Sequence, residues 1–206
     1  MKKIILCSVP MKAQMDLCVY TSGDSSLPAS ARPVRFPICS FLERTLQDDD
    51  ELKVLLLTKR DPYSHCERNA DVLREELAEA AAGKQNVRIT YTVIETDFAQ
   101  TRAVHTQLMG RIVDELETGA HILADITYGS KDLPVIIFVA LHFAEKFLDC
   151  VIDHILYGQA SFENGHAVDT RLCDMSPLYC LDSVTGLIRC DDPDKARNML
   201  KALLSQ

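Results

Sequence analysis

The chain has 206 residues, enough for one full-sized domain but not for two large ones, and its 47% hydrophobic and 25% charged residues exclude disorder, collagen and coiled coil. The formal net charge of -8 excludes a broad cationic face for duplex DNA, although a local group of Lys or Arg can still hold a few phosphates. The sequence shows neither a run of about 18 apolar residues nor the cleavage pattern of a signal peptide, so we expect a cytoplasmic protein that does not enter a membrane.

Short apolar or alternating runs, most of them rich in β-branched residues, predict five strands. The first begins almost at the start of the chain and ends before Pro10. The predicted strands span residues 3–9, 52–58, 87–94, 122–126 and 151–157. Between the first strand and the first helix, a segment rich in Gly, Ser, Asp and Pro predicts a hairpin or excursion with a flexible tip.

Apolar residues at helical spacing predict helices between and after these strands. Ser64, with Glu67 three residues on, predicts a capped start for the second helix, and Asp97 predicts a cap for the third. The helical patterns span residues 38–46, 64–83, 97–119, 133–147 and 193–204. Five β/α alternations predict a parallel sheet covered by helices on both faces.

The alternation of strand and helix patterns ends after the fifth predicted strand. Residues 162–166 predict a turn between two short extended segments, and the chain ends in the last predicted helix. We therefore expect an α/β domain over residues 1–178, followed by a short helical extension over residues 179–206 that packs on the same domain. No internal repeat breaks this pattern.

Eight cysteines are present, but the chain is long and contains no C-x-x-C pair, so we expect most of them to be reduced and to act as small apolar residues. The pair His65 and Cys66 has no second pair beside which it could ligate zinc, and we expect no metal site. A catalytic Cys–His pair is also weakly supported by the sequence. Four histidines fall in predicted helices or strands, where structural roles are more common: His105, His121, His142 and His154.

The strongest candidate for a ligand site is the turn after the fourth predicted strand. Gly129 lets the backbone approach a ligand, Thr127 and Ser130 supply hydroxyls, Lys131 supplies a cation, and the start of the next helix supplies N–H groups. In a doubly wound sheet, ligands bind at such carboxyl ends of strands. The same pattern also fits an ordinary turn with a glycine and a helix cap at Asp132, so the local residues leave both readings open.

The end of the first strand is a second candidate, since in a parallel sheet Ser8 and Val9 open onto the same crevice. Ser8 is equally suited to cap a turn or a helix. Arg60, at the end of the second predicted strand, is expected to border the crevice as well.

Five residues of the turn, Asp125, Thr127, Gly129, Lys131 and Pro134, form the element D-[apolar]-T-x-G-x-[K/R]-x-x-P. This element resembles the signature loop of CARF domains, the CRISPR-associated Rossmann folds. The opening KKIILCSVP, the strand KVLLLT and the late segment ILYG are similar to the family as well, so the resemblance covers roughly residues 3–178.

The chain departs from the family at two positions of the loop. Tyr128 stands where the family often has His, and it can stack on an adenine or hydrogen-bond a ribose. Lys131 stands where the family often has Arg, and it offers a point charge rather than a bidentate fork.

The resemblance implies a Rossmann-like, doubly wound, mostly parallel sheet and a symmetric homodimer whose paired loops bind a cyclic oligoadenylate, the second messenger of type III CRISPR defence. We also expect no cofactor, and from the net charge and the lack of long apolar runs we expect no duplex DNA and no membrane partner. The ligand-binding positions that it indicates, together with the strand ends described above, are Ser8, Val9, Arg60, Asp125, Thr127, Tyr128, Gly129, Ser130 and Lys131.

Two functions of different classes follow from the resemblance. In a ring nuclease, a ribose 2'-hydroxyl attacks the adjacent phosphodiester without a metal and leaves a 2',3'-cyclic phosphate end; Lys131 would stabilise the charge, while Ser8 or Thr127 would orient the hydroxyl. In a non-catalytic sensor, the ligand-bound dimer would change the activity of a partner effector protein. We expect the ring nuclease, with the sensor as the alternative.

Two other enzymatic readings are weaker. An ordinary nucleotide-binding enzyme is disfavoured because the first strand lacks G-x-G-x-x-G and the chain lacks a P-loop motif. Arg60 and His65 match the Arg–His spacing of a helical ribonuclease domain, but the chain has no room for such a domain, and the pair straddles a loop that contains proline.

Overall fold

A computed structural model describes residues 1–187 and 189–204 of the protein and confirms the predicted α/β class. The described residues form one seven-stranded, mostly parallel sheet and six α-helices, as in a Rossmann-like doubly wound fold. The strands are Lys2–Ser8 (β1), Thr21–Ser22 (β2), Glu51–Arg60 (β3), Arg88–Asp97 (β4), His121–Asp125 (β5), Val151–Glu163 (β6) and His166–Asp174 (β7). The helices are Pro37–Thr45 (α1), Cys66–Ala81 (α2), Arg102–Glu115 (α3), Asp132–Phe147 (α4), Ser176–Leu187 (α5) and Pro193–Leu204 (α6).

Strand β1 lies at the centre of the sheet, in the order β2-β7-β6-β5-β1-β3-β4. It pairs in parallel with β3 on one side and β5 on the other, so that Leu6 stands beside both Leu55 and Ala124. The five predicted strands are all parallel, whereas β7 returns antiparallel to β6. The strand order reverses between β1 and β5, and a crevice is expected beyond the carboxyl ends of these two strands.

Side chains alternate between the two faces of each strand, and helices cover both faces. On one face, Ile5 and Leu56 belong to a buried cluster with Ile38 of α1 and Leu73 of α2. On the other face, β3 directs Lys59 to Asp132 at the start of α4. The prediction of a sheet covered on both sides is therefore confirmed.

Three predicted helix caps differ from the structure. Helix α2 has His65 at its N-cap, although the Ser64 hydroxyl still accepts a hydrogen bond from the Cys66 N–H at 3.2 Å. Helix α3 is capped by Thr101 because strand β4 continues through Asp97. Asp132 is the first residue of α4 rather than its cap: Lys131 holds the N-cap position, and the Asp132 carboxylate pairs with Lys59.

The chain forms two compact units, Met1–Asp174 with the sheet and α1 to α4, and Met175–Gln206 with α5 and α6. Helix α6 spans the residues predicted for the closing helix. All eight cysteines are free thiols, as expected, and five of them are buried: Cys7, Cys18, Cys39, Cys66 and Cys150.

His154 connects the last two strands of the sheet. Its Nδ1 lies 2.7 Å from Oδ2 of Asp174, and its ring stands edge-on to Phe41, with 5.1 Å between the ring centroids. The hydrogen bond to Asp174, which outweighs the opposing effect of burial, raises the pKa of His154. A raised pKa in the folded state favours the protonated, folded protein.

The His154 pair predicts a pH-dependent contribution to stability. The contribution is complete below the unfolded pKa of about 6.5 and is lost as pH rises through the higher pKa of the folded state. We therefore expect the stability difference between the wild type and His154→Gln, measured by urea unfolding, to shrink as pH rises from about 6 to 8. A difference that stays constant over this range would contradict the prediction.

Candidate functional site

An open cavity of about 600 Å³ lies at the carboxyl edge of the sheet, around the ends of β1 and β5. The loop after β5 lines it with five consecutive residues, Thr127, Tyr128, Gly129, Ser130 and Lys131. The segment after β1 and the long strand β6 supply other parts of its wall. The cavity therefore occupies the place where a doubly wound sheet binds its ligands.

Gly129 gives the loop after β5 its shape. Its φ of +98° lies in a region that side chains disfavour, and a Cβ added there would come within 2.6 Å of Leu133 Cδ1 and 3.2 Å of Ser8 Cβ. The backbone of the loop thus rests on Leu133 and Ser8, and only glycine fits this close approach.

Asp125 fixes the start of the loop through hydrogen bonds that its carboxylate accepts. It is buried, and its carboxylate accepts hydrogen bonds from the N–H groups of Thr127 at 2.9 Å and of Ile38 at 3.1 Å. Burial is the main cause that raises the pKa of Asp125, while these hydrogen bonds oppose the rise. Asp125 ties the loop to the first turn of α1 and does not line the cavity wall.

Thr127 ties the loop to strand β6 on the other side. Its Oγ1 accepts a hydrogen bond from the Gly158 N–H at 2.8 Å. A Cβ at Gly158 would approach the ring of Tyr20 to 3.0 Å, so the strand can lie this close only with glycine there. Thr127 lines the cavity, but its hydroxyl already takes part in holding the loop.

The ring of Tyr128 forms part of the cavity wall, whereas its hydroxyl already donates a hydrogen bond within the protein. Its hydroxyl donates to the Arg35 carbonyl at 2.7 Å, and its ring stands edge-on to Phe36. The Nζ atom of Lys12 lies 5.6 Å from the centroid of the Tyr128 ring, within range of a cation–π contact. Burial raises the pKa of Tyr128, so the phenol stays neutral at ordinary pH.

Two cations line the cavity. Lys131 lies at the N-cap of α4, where it is exposed and where the helix start adds partial positive charge. Lys12 follows β1 and was not indicated by any sequence motif. Together they make the cavity suitable for an anionic group such as a phosphate.

The end of the loop is anchored by a buried ion pair. Asp132 Oδ2 lies 3.2 Å from Lys59 Nζ and 3.1 Å from His105 Nε2. The side chains of Lys59 and Asp132 are only 2% and 7% exposed. These contacts fix the first turn of α4 and, through it, the position of Lys131.

The described lining of the cavity leaves out four residues that the sequence indicates for ligand binding. Asp125 supports the loop, as described above. Ser8 is 1% exposed beneath Gly129, and its Oγ meets no hydrogen-bond partner among the described residues. Val9 is part of the core, and Arg60 pairs with Glu95, with 2.8 Å from its Nε to Oε1. The structure thus brings together the five loop residues and separates Ser8, Val9, Asp125 and Arg60 from the cavity surface.

Other wall residues carry no motif that sequence analysis could use. They follow strands or lie within β6 or β7, and the order of the strands is what brings them to one cavity. The most exposed aromatic and polar side chains among them are Phe98, Gln100, Tyr157 and Phe162.

Within residues 1–187 and 189–204, no group of three or more His, Cys, Asp or Glu side chains could hold a metal ion. In the same described part of the chain, no helix has the length and apolarity needed to cross a membrane. Comparison with models of known protein families and with curated proteins gives no match.

Proposed function

We propose that the cavity binds a cyclic oligoadenylate and that the protein opens the ring by cutting a phosphodiester. The observation that carries the proposal is the glycine loop, which presents its backbone and Lys131 at the N-terminus of α4 beside the second cation, Lys12. Cations at a helix start suit phosphates, and the aromatic wall suits flat bases. The CARF-like loop sequence supports the same ligand.

A symmetric homodimer is part of the proposal. Helix α4 carries apolar side chains at every fourth position, Val135, Val139, Phe143 and Phe147, and Val135 and Phe147 are each 65% exposed. Such a stripe is typical of a protein interface. Because α4 begins at the ligand loop, two copies that pack through α4 with the two-fold axis near its N-terminal end would bring their loops near each other.

In the proposed reaction, the ribose 2'-oxygen forms a bond to the adjacent phosphorus while the bond from phosphorus to the 5'-oxygen breaks. The 2'-hydroxyl proton leaves, and the 5'-oxygen gains a proton, so the products end in a 2',3'-cyclic phosphate and a 5'-hydroxyl. Lys131 stabilises the charge that develops on the phosphate oxygens. Thr127 and the loop hold the ribose in line, and Ser8 supports the loop at Gly129.

A non-catalytic sensor that regulates a partner protein is the second candidate. It is favoured because the two hydroxyls indicated for catalysis are hydrogen-bonded or buried within the protein. Thr127 Oγ1 accepts the Gly158 N–H, and Ser8 is buried behind the loop. A site that binds the ring without placing a hydroxyl on its ribose would leave the ring intact.

We expect Lys131→Ala to weaken binding of cyclic tetra- or hexa-adenylate by about tenfold or more, since hydrogen bonds to charged groups contribute about 1.5–3 kcal/mol. Binding is measured by calorimetry, and products are resolved by chromatography after incubation in EDTA. Lys195→Ala, an exposed lysine of α6, is the matched control and should bind as the wild type does.

The products separate the two candidates. Linear products with cyclic-phosphate ends support the ring nuclease, and tight binding of an intact ring supports the sensor. Failure of the wild type to bind either ring would refute the proposed ligand, and unchanged binding by Lys131→Ala would refute this site.

A further inference from the structure

The segment that carries Lys12 belongs to neither a strand nor a helix. Residues 9–17 lie between the end of β1 and the isolated bridge of Cys18 with Val34, yet Lys12 is one of the two cations on the cavity wall. A side chain on irregular backbone keeps a defined position only where neighbouring elements hold that backbone. The hydrogen bonds of this segment therefore show what places Lys12.

Asn69 of α2 holds the segment on both sides of Met11. Its side-chain amide donates one hydrogen bond to the Pro10 carbonyl at 2.7 Å and another to the Lys12 carbonyl at 2.9 Å. The side-chain oxygen of Asn69 accepts a hydrogen bond from Arg68 at 2.9 Å. The amide thus uses its nitrogen and its oxygen, and the residue is fully buried. Such a group fixes its partners closely, because breaking one of these bonds leaves a buried polar atom without a partner.

The start of α2 makes two further bonds to the same segment. The backbone N–H of His65 donates to the Met11 carbonyl at 3.0 Å, and Arg68 donates to the Ala13 carbonyl. The carbonyl groups of four consecutive residues, 10–13, therefore all accept hydrogen bonds from α2 and its N-cap. We call this set of hydrogen bonds the α2 clamp.

The side chain of Lys12 leads from the clamped backbone to the cavity, where its Nζ atom lies 5.6 Å from the centroid of the Tyr128 ring. Resting on the proposed function, we infer that Asn69 is a positioning residue of that site, which sets the affinity for the ligand phosphate through Lys12. Asn69 itself lies outside the described lining of the cavity. Its effect on binding therefore passes through the backbone of residues 10–12 and not through contact with the ligand.

A double-mutant cycle tests this inference, with binding of cyclic tetra- and hexa-adenylate to the full chain measured by calorimetry. We expect Lys12→Ala and Asn69→Ala each to weaken binding of the ring that the wild type prefers by about tenfold. Because both substitutions act on one cation, the double variant should also bind about tenfold more weakly, whereas independent effects would give about 100-fold. A loss equal to the product of the two single effects, or unchanged binding by Asn69→Ala, would overturn the inference.

Controls on the same helix separate positioning from loss of stability. Leu77→Ala removes a core side chain outside the clamp, so it destabilises the protein but should leave the affinity of the folded protein unchanged. Equal weakening by Leu77→Ala would overturn the inference. If Asn69→Ala does not fold, Arg68→Leu takes its place in the cycle with Lys12→Ala, and we expect it to weaken binding by about threefold. Arg74→Leu, an arginine of α2 that makes no bond to the clamped segment, is its matched control.

A protease that cuts after lysine tests the clamp without any ligand. The bond after Lys12 is cut only when residues 10–13 leave α2, whereas cutting after Lys53 in β3 reports unfolding of the sheet. We expect Asn69→Ala to raise the rate of cutting after Lys12, relative to Lys53, by about tenfold or more, and Arg74→Leu to leave it unchanged. An unchanged ratio in Asn69→Ala would overturn the inference. If the ratio rises but the wild type binds neither ring, the proposed function fails while the hold of Asn69 on Lys12 stands.

Discussion

Replacing Lys59 with methionine is expected to lower the free energy of unfolding by about 3–5 kcal/mol, because it leaves the buried carboxylate of Asp132 without its cation. Burial by itself raises the pKa of Asp132, but hydrogen bonding and the charge of Lys59 outweigh it and lower the pKa below its usual range. The carboxylate is therefore ionised in the folded protein at neutral pH. Chemical unfolding at pH 7 measures the loss.

The chain offers a matched control on the same strand. Lys53 also points from β3 to carboxylates, those of Glu115 and Glu117, but its side chain and theirs are partly exposed. Lys53→Met removes a pair of the exposed kind, and we expect it to cost no more than about 1 kcal/mol. If the two substitutions lowered the free energy of unfolding equally, burial of the Lys59–Asp132 pair would not be the cause of the larger loss expected for Lys59→Met.

The pH dependence of the Lys59→Met variant gives a second check. A carboxyl group whose folded pKa is lowered stabilises the wild type above its unfolded pKa of about 3.9, and this contribution is lost as pH falls. In the variant, no lysine pairs with Asp132, so protonation of its carboxyl group removes no ion pair. The stability difference between the wild type and Lys59→Met should therefore narrow as pH falls below about 4.

Gly129→Ala is expected to have the largest effect on the proposed ligand. The added methyl group would meet Leu133 Cδ1 at 2.6 Å, and the φ of +98° strains any side chain. The loop must shift to relieve the contact, and this shift carries Lys131 with it. Because a misplacement of about 1 Å can cost about 100-fold in rate, we expect ring cleavage to fall by about 100-fold or more.

A second glycine of positive φ controls for general effects of the substitution. Gly119 also has a positive φ, of +71°, but a Cβ there would meet nothing within 4 Å. Gly119→Ala therefore adds the backbone strain, about 1–3 kcal/mol, without moving the ligand loop. Loss of cleavage in both variants, or in neither, would argue against the close contact of Gly129 as the cause.

The sheet and its covering helices could be predicted because their residues repeat with the periods of strand and helix. The run at Leu55 and the apolar spacing of α4 are such patterns. The turn predicted at residues 162–166 is confirmed as the hairpin between β6 and β7, but β6 runs without a break past its predicted end at residue 157 because it pairs with β7. Likewise, the caps at His65 and Thr101 depend on where the preceding strands end.

The candidate site could be predicted only where its residues are consecutive. The loop after β5 is one such segment, and the structure places all five of its expected residues from Thr127 to Lys131 on the cavity. Arg60 was expected there because it ends a central strand, but its partner in the sheet is β4, which supplies Glu95 as an ion-pair partner. Phe98 and Phe162 reach the cavity through strand order, which the sequence does not encode locally.

The central position of β1 has a consequence for how the chain folds. Lys3 pairs with Leu52 on one side and with His121 on the other, so β1 acquires its second neighbour only after the chain through β5 has been made. Contacts this distant along the chain slow folding. Until β5 arrives, one edge of β1, with its apolar run from Ile4 to Cys7, stays open on the ribosome, where a chaperone can protect it and an identical chain can aggregate with it.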